Sequence, residues 1–213
     1  MIAEHLWYTK LNFGMRCDLT DLPPVRPARV DVKMKPCRGS VFGGFTEELK
    51  RVRGHDYAAV LLRELLCESD ICTLYVAHLA DGSPIYAQWL VRYTDQHRLR
   101  GSFAGRYISD YLERTPLRSG EVLVEGAYTF SRFRGMGAMT DGMAQLLRIA
   151  RDEGARSART SVVARNVPAL RGCAKVGFNL DSAQLSVRRL GRRRNSIQPV
   201  DERVKRLWVA ALS

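Results

Sequence analysis

Apolar and polar positions assign most elements of this chain directly. Val30, Val32 and Met34 alternate with Asp31, Lys33 and Lys35, the period-two pattern of a strand, which Pro36 should close. Gly39–Gly44 reads as a loop. A helical stretch follows over Thr46–Arg53. A stronger one covers Tyr57–Leu66, where Tyr57, Val60, Leu61, Glu64 and Leu65 recur at helical spacing. Thr73–Leu79 and Ile85–Thr94 are strand-like, and Asp81-Gly82-Ser83-Pro84 between them is a turn, so the pair reads as a hairpin. Residues 98–120 carry no settled pattern beyond a short helix over Tyr107–Leu112 before Pro116. Glu121–Phe130 is a strand around Val122-Leu123-Val124, and a helix from about residue 138 to Glu153 ends at Gly154. Ser157–Val163 is a strand, Val167–Val176 a helix closed by Gly177, and Gln184–Leu190 a last strand.

The two ends read differently. Leu6-Trp7-Tyr8, Leu11 and Phe13 are apolar, but residues 1–28 yield no assigned element, and Leu22–Pro27 is too rich in proline for a helix. Residues 191–203 read as an exposed basic tail, with a short helix over Lys205–Leu212. The expected division is an N-terminal extension at 1–28, one domain at 29–190 and a basic C-terminal tail at 191–213. Strand–helix–strand alternation after residue 120 implies a parallel pair with a right-handed crossover. The fold class is α+β, a mixed α/β arrangement.

Composition sharpens this in one respect. The chain has 213 residues, 46% of them apolar and 26% charged, ordinary for a globular protein of one domain. The net charge of +12 is unusual, and it is localised. Residues 1–130 hold 17 basic and 16 acidic side chains, whereas residues 131–213 hold 17 basic and 6 acidic. A polyanionic or phosphorylated partner for the second half is implied. No apolar run reaches the ~18–20 residues of a membrane span, and Met1–Lys10 lacks the features of a signal peptide. Five cysteines without a CxxC pair point to a reduced, cytoplasmic setting, and four scattered histidines give no expectation of a metal.

The segment with the most chemistry is Ser131-Arg132-Phe133-Arg134-Gly135-Met136-Gly137-Ala138, between a strand and a helix. Glycines at a helix start let the backbone approach a ligand, and the free N–H groups and the helix dipole favour an anion. Arg132 and Arg134 add charge. The same glycines also suit a tight turn with no ligand. A P-loop is excluded because GxxxxGK[ST] does not occur. The dinucleotide fingerprint is excluded because Thr140 stands where its third glycine belongs, and no acidic ribose partner lies near Ser157–Arg165.

Arg134-Gly135-Met136-Gly137-Ala138-Met139 resembles the acetyl-coenzyme A signature Q/R-x-x-G-x-G/A of the GNAT (Gcn5-related) N-acetyltransferase superfamily, with Met139 where glycine or alanine is usual. Asn166-Val167-Pro168-Ala169 through Gly177-Phe178 is similar to its second signature, N-x-x-A-x-x-x-Y-x-x-x-G-F, with Cys173 at the tyrosine. One helix and one strand separate the two, as in the family. The resemblance covers residues 120–180 well, 30–95 by element order, and 1–28 not at all.

The resemblance implies a central, mostly antiparallel sheet whose parallel strand pair splays apart, flanked by helices, with acetyl-CoA or another acyl-CoA held in the splay as co-substrate. Main-chain groups of Tyr128 and Thr129 would meet the pantetheine arm. The pyrophosphate would lie on the amides of Arg134, Gly135, Met136, Gly137, Ala138 and Met139, near Arg132, with Arg171 and Lys175 as further cations. Asn166 would cap its helix and approach the pantetheine. An amine acceptor, a small molecule or a protein, attacks directly, helped by Glu121, Glu125 or a water as base. Cys173 would protonate the leaving thiolate, or else is a buried helix residue with water as the acid. Gly172 would make room for the cofactor. The acceptor pocket would come from residues 40–110, with Tyr86, Trp89, Tyr93, Phe103, Tyr107 and Tyr111 as candidate walls. Three other readings stand beside acetyl transfer: a long-chain N-acyl amino acid synthase, a non-catalytic CoA-binding module, and a nucleic-acid binder using Arg192-Arg193-Arg194. A homodimer fits any of them, and no membrane partner is expected.

Overall fold

A computed structural model describes residues 7–69, 72–99, 112, 115–189 and 192–213. Eight strands form one sheet: β1 (Trp7–Asp18), β2 (Met34–Cys37), β3 (Thr73–His78), β4 (Pro84–Arg92), β5 (Glu121–Thr129), β6 (Ser157–Val163), β7 (Asn179–Arg189) and β8 (Arg192–Gln198). The helices are α1 (Gly44–Leu49), α2 (Gly54–Ser69), α3 (Gln96–Leu99), α4 (Ala138–Asp152), α5 (Val167–Lys175) and α6 (Glu202–Leu212). The strand order is β2-β3-β4-β5-β6-β1-β7-β8. Every neighbouring pair is antiparallel except β5 and β6, which run parallel through the α4 crossover.

Burial explains how the two faces are covered. Trp89 and Tyr86 are both buried but lie three residues apart on β4, so they point to opposite faces. Phe45 of α1 stacks on Trp89 and on Phe130, which places α1 on one face. A Cβ on Gly142 of α4 would strike the Tyr86 ring, which places α4 on the other. Phe13 meets Trp208 of α6 edge-on, and the Cys17 thiol lies 3.7 Å from the Val176 carbonyl beyond α5, so β1 turns its apolar side to the α4–α6 face.

Three differences from the sequence reading stand out. Residues 7–18, without an assigned element, form the longest strand, inserted between β6 and β7. Residues 192–198, read as tail, pair with β7 as the edge strand β8. The segments expected as extension and tail therefore supply β1, β8 and α6. Lastly, the strand expected at 30–34 begins only at Met34. The backbone before it joins no strand and bonds to a side chain instead: Gln145 of α4 donates to the Val32 carbonyl and accepts from the Met34 N–H. Pro36 lies inside β2 rather than ending it, which an edge strand tolerates. The helix expected at Tyr107–Leu112 lies outside the described residues, apart from Leu112.

Candidate functional site

The site begins where β5 and β6 part. They pair at Glu121↔Ser157, Val122↔Ala158 and Leu123↔Arg159 and no further, although β5 continues to Thr129 and β6 to Val163. On its other side β5 stays bonded to β4 as far as Thr129, through a register shift between Ala87 and Trp89. Gly126 lies in this bulge at φ +68°, and a Cβ there would run into the Trp89 ring, so only glycine fits. Arg63 of α2 spans the bulge, donating to the carbonyls of Gly126 and Ala127 at 2.9 Å each. The opened strand edge is thus partly satisfied from within the protein.

Beyond β5 comes the glycine turn. Gly135 (φ +77°) and Gly137 (φ +86°) both take the left-handed conformation, and Gly137 caps α4 without any side-chain hydrogen bond to the helix start. A Cβ on Gly135 would meet nothing within 4 Å. Alternating backbone hand next to an uncapped helix N-terminus directs amides at a common point and suits a phosphate group. The turn is braced on both sides. Buried Glu48 of α1 accepts from the Ser131 N–H at 2.8 Å and the Tyr128 hydroxyl at 3.1 Å. Across the turn, the Arg29 N–H donates to the Met136 carbonyl, and the Ala28 N–H to Asp141 in the first turn of α4.

The charged residues expected here separate. Arg134 turns back onto the protein, ion-paired to Asp56 at 2.7 Å and bonded to the Tyr128 hydroxyl. Arg132 is exposed beside Asp81 and lines a cavity of about 640 Å³ with Phe42, Glu48 and His78. Met139 explains its own departure from the signature. Its thioether packs where a Cβ on Gly172 would sit, 3.1 Å from the methyl carbon, so Gly172 makes room for Met139 rather than for a ligand. Asn166 caps α5 by accepting from the Ala169 N–H.

The two candidate carboxylates occupy different surroundings. Glu121 lies at the paired end of β5, buried, bound by Arg16 at 3.1 Å and Arg159 at 3.7 Å, and it accepts from the Arg118 N–H. Glu125 lies in the opened stretch, opposite Trp89 on the α1–α2 face. Loss of solvent pushes its carboxyl up from the usual 4.5 to about 7, against the lowering pull of the Gly126 N–H, Arg63 and Lys10. Cys173 is buried on α5 beneath it, and burial together with the Glu125 charge pushes its thiol up to about 12. Tyr86 and Trp89 are core residues and Tyr93 is exposed, while Phe103, Tyr107 and Tyr111 lie outside the described residues.

Glu48, Arg63 and Lys10 escaped the sequence reading. Nothing in the helical period of α1 or α2 marks Glu48 or Arg63, because their partners lie more than 60 residues away. Lys10 lies on the unassigned strand. Among the described residues no helix is long and apolar enough to cross a membrane, and no group of three or more metal-ligating side chains forms.

No family model matches the chain, and no curated protein matches it. Solved structures do. An acetyltransferase of the GNAT family from Colwellia psychrerythraea superposes with a TM-score of 0.54 at 12% identity, covering 84% of this chain and 55% of its own. An acetyltransferase assigned to the GNAT family, from Novosphingobium aromaticivorans, gives 0.51 at 14% identity, covering 84% and 64%. A GCN5-related N-acetyltransferase from Sphaerobacter thermophilus gives 0.53 at 11%, covering 94% and 56%. The chain thus spans a little over half to under two thirds of these structures' length, and what they share with it is the GNAT fold.

Proposed function

We propose that this chain, built on the GNAT fold, is an acyl-CoA-dependent N-acyltransferase, with acetyl-CoA as its first expected donor and an amine as acceptor. One observation carries the reading: β5 and β6 stay paired for three residues and then separate, with Glu125 beside the gap and an uncapped glycine turn following β5. The residues fit the co-substrate. The amides of Gly135, Gly137, Ala138 and Met139 would take the pyrophosphate, and main chain near Tyr128 and Thr129 the pantetheine. The bound co-substrate supplies an activated acyl thioester.

The protein's own part is to hold and to deprotonate. The acceptor must attack as a free amine, and a base works best when its pKa lies near the working pH. Glu125 meets that condition and Glu121, held by two guanidiniums, serves the sheet instead. A thiol at about 12 is a poor acid toward a thiolate of ordinary basicity near 8.5, the transfer being uphill by roughly 5 kcal/mol. The thiolate therefore departs as such and takes its proton by equilibration with solvent, where a thiol of pKa near 8.5 is mostly protonated at neutral pH, and Cys173 packs. The experiment is a thermal-shift panel of acyl-CoA chain lengths, followed by amine-dependent release of free CoA. Stabilisation by acetyl-CoA and loss of turnover in Glu125→Gln are expected. No shift with any acyl-CoA would sink the proposal, and a shift that is largest for long chains would move it to long-chain acyl transfer.

A further inference from the structure

The guanidinium of Arg63 reaches carbonyl groups on two elements. Nη1 donates to Ala59, one turn back on α2, at 2.7 Å, while Nε donates to Gly126 and Nη2 to Ala127 on β5, at 2.9 Å each. In a regular strand successive carbonyls point to opposite edges. The Nε and Nη2 N–H bonds run parallel along one side of a planar fork, so the two carbonyls they bind point the same way. Gly126 at φ +68° allows that alignment. Two aligned carbonyl dipoles repel each other, and a cation between their oxygens offsets the repulsion. The bulge of β5 is thus held in its unusual shape by a side chain from α2.

That shape bears on Glu125, which directly precedes the clamped pair. The main chain at Gly126 turns its N–H onto Glu125 Oε1, at 3.2 Å. The clamp also reaches the glycine turn. The guanidinium carbon lies 5.2 Å over the Tyr128 ring, and the Tyr128 hydroxyl donates to Glu48, which accepts the Ser131 N–H as well. Charged and titratable side chains face Glu125 from three elements: Arg63 from α2, Lys10 from β1 and Cys173 from α5. Across the β4 ladder it meets Trp89, which does not titrate. Arg63 both faces the carboxyl and holds the main chain next to it.

Resting on the acyltransferase reading, we propose that Arg63 is a positioning residue of the transfer site, which aims Glu125 through the main chain of Gly126 and Ala127 instead of acting on the reacting atoms. The bulge gives the carboxylate its Gly126 N–H partner, and the fork keeps the bulge. A lysine does not replace this arginine, because an ammonium is a point donor and lacks the two parallel N–H bonds.

The test starts without acyl-CoA. Glutamate carboxyl carbons and backbone amides are labelled in the full chain, and wild type, Arg63→Gln and Arg63→Lys are titrated by NMR. In wild type Glu125 should titrate near pH 7, with the Gly126 amide proton moving at the same midpoint. Both variants lose the fork, so their Gly126 amide should cease to follow the titration. Arg63→Gln also loses the charge, so its Glu125 midpoint should rise by about one pH unit, further than that of Arg63→Lys. Amine-dependent release of CoA from acetyl-CoA is measured next, and kcat should fall about tenfold or more in both variants at an unchanged KM for acetyl-CoA. A merely structural arginine would lower the melting temperature and leave the midpoint, the amide response and kcat of the folded protein as they are. An unchanged midpoint in Arg63→Gln, or a wild-type amide response with undiminished kcat in Arg63→Lys, overturns the inference. If Arg63→Gln does not fold, Arg63→Lys decides alone. If wild type releases no CoA with any amine, the acyltransferase reading falls, and the NMR readouts by themselves decide whether Arg63 governs Glu125.

Discussion

Glu125 offers a prediction in which stability and activity move in opposite directions. Raising its carboxyl from 4.5 to about 7 means that the folded protein resists ionising it. At pH 4 the group is protonated whether the chain is folded or not, and no penalty exists. As pH rises through 4.5 the unfolded chain releases the proton and the folded one keeps it, so stability falls until about pH 7 and is level above that. The full difference amounts to about 3 kcal/mol. Glu125 keeps some solvent contact, which reduces the expected effect to about 1–3 kcal/mol. Glu125→Gln removes the ionisation and keeps the shape. Urea melts of both proteins should therefore agree at pH 4 and diverge with rising pH. By pH 8 the variant's midpoint should lie higher at an unchanged m-value. Its turnover should be lost, together with the rise in wild-type kcat/KM through pH 7. The reasoning fails if the stability difference between the two proteins is the same at pH 4 and pH 8.

Other consequences follow from the same contacts. Glu121→Ala takes a carboxylate from nearly buried Arg159, leaving it the Thr115 and Pro116 carbonyls as acceptors, and should destabilise the fold by about 2–3 kcal/mol, read by urea denaturation. Gly137→Ala forces a side chain into φ +86° beside Ala28, so it should cost about 1–2 kcal/mol and abolish the acetyl-CoA thermal shift. Gly172→Ala gains helix propensity but crowds Met139; it should stabilise a Met139→Ala background by about 0.5–1 kcal/mol and wild type by less, as a double-mutant cycle will show.

The local signals carried most of the fold. Hydrophobic period placed β3 to β6, α2, α4 and α5 within a few residues, and glycines just past α4 (Gly154) and α5 (Gly177) marked the ends of those two helices. The order of those elements was enough to imply a parallel pair. Even β1 had a signal that went unread: Phe13, Met15 and Cys17 alternate with Gly14, Arg16 and Asp18. What no local pattern contains is the partner. Residues 7–18 pair with strands near residues 160 and 185, and the arginines at 192–194 become an edge strand only because β7 is there to receive them.

The site divides along the same line. Two motifs and a glycine turn, legible in sequence, carried the resemblance to the GNAT superfamily, since a phosphate cradle of the kind that resemblance implies would use consecutive backbone amides and consecutive residues supply them. The chemistry around the turn needed tertiary structure. Glu121 and Glu125 are equivalent in sequence, four residues apart on one strand, and only the parting of β5 from β6 after Leu123 separates them. One is held by Arg16 and Arg159, while the other is left in a gap where ionisation is costly. The fork of Arg63 on the carbonyls of Gly126 and Ala127 is likewise a property of the folded chain. Ionisation and hydrogen bonding depend on which groups and how much water surround an atom, and those neighbours come from distant parts of the chain.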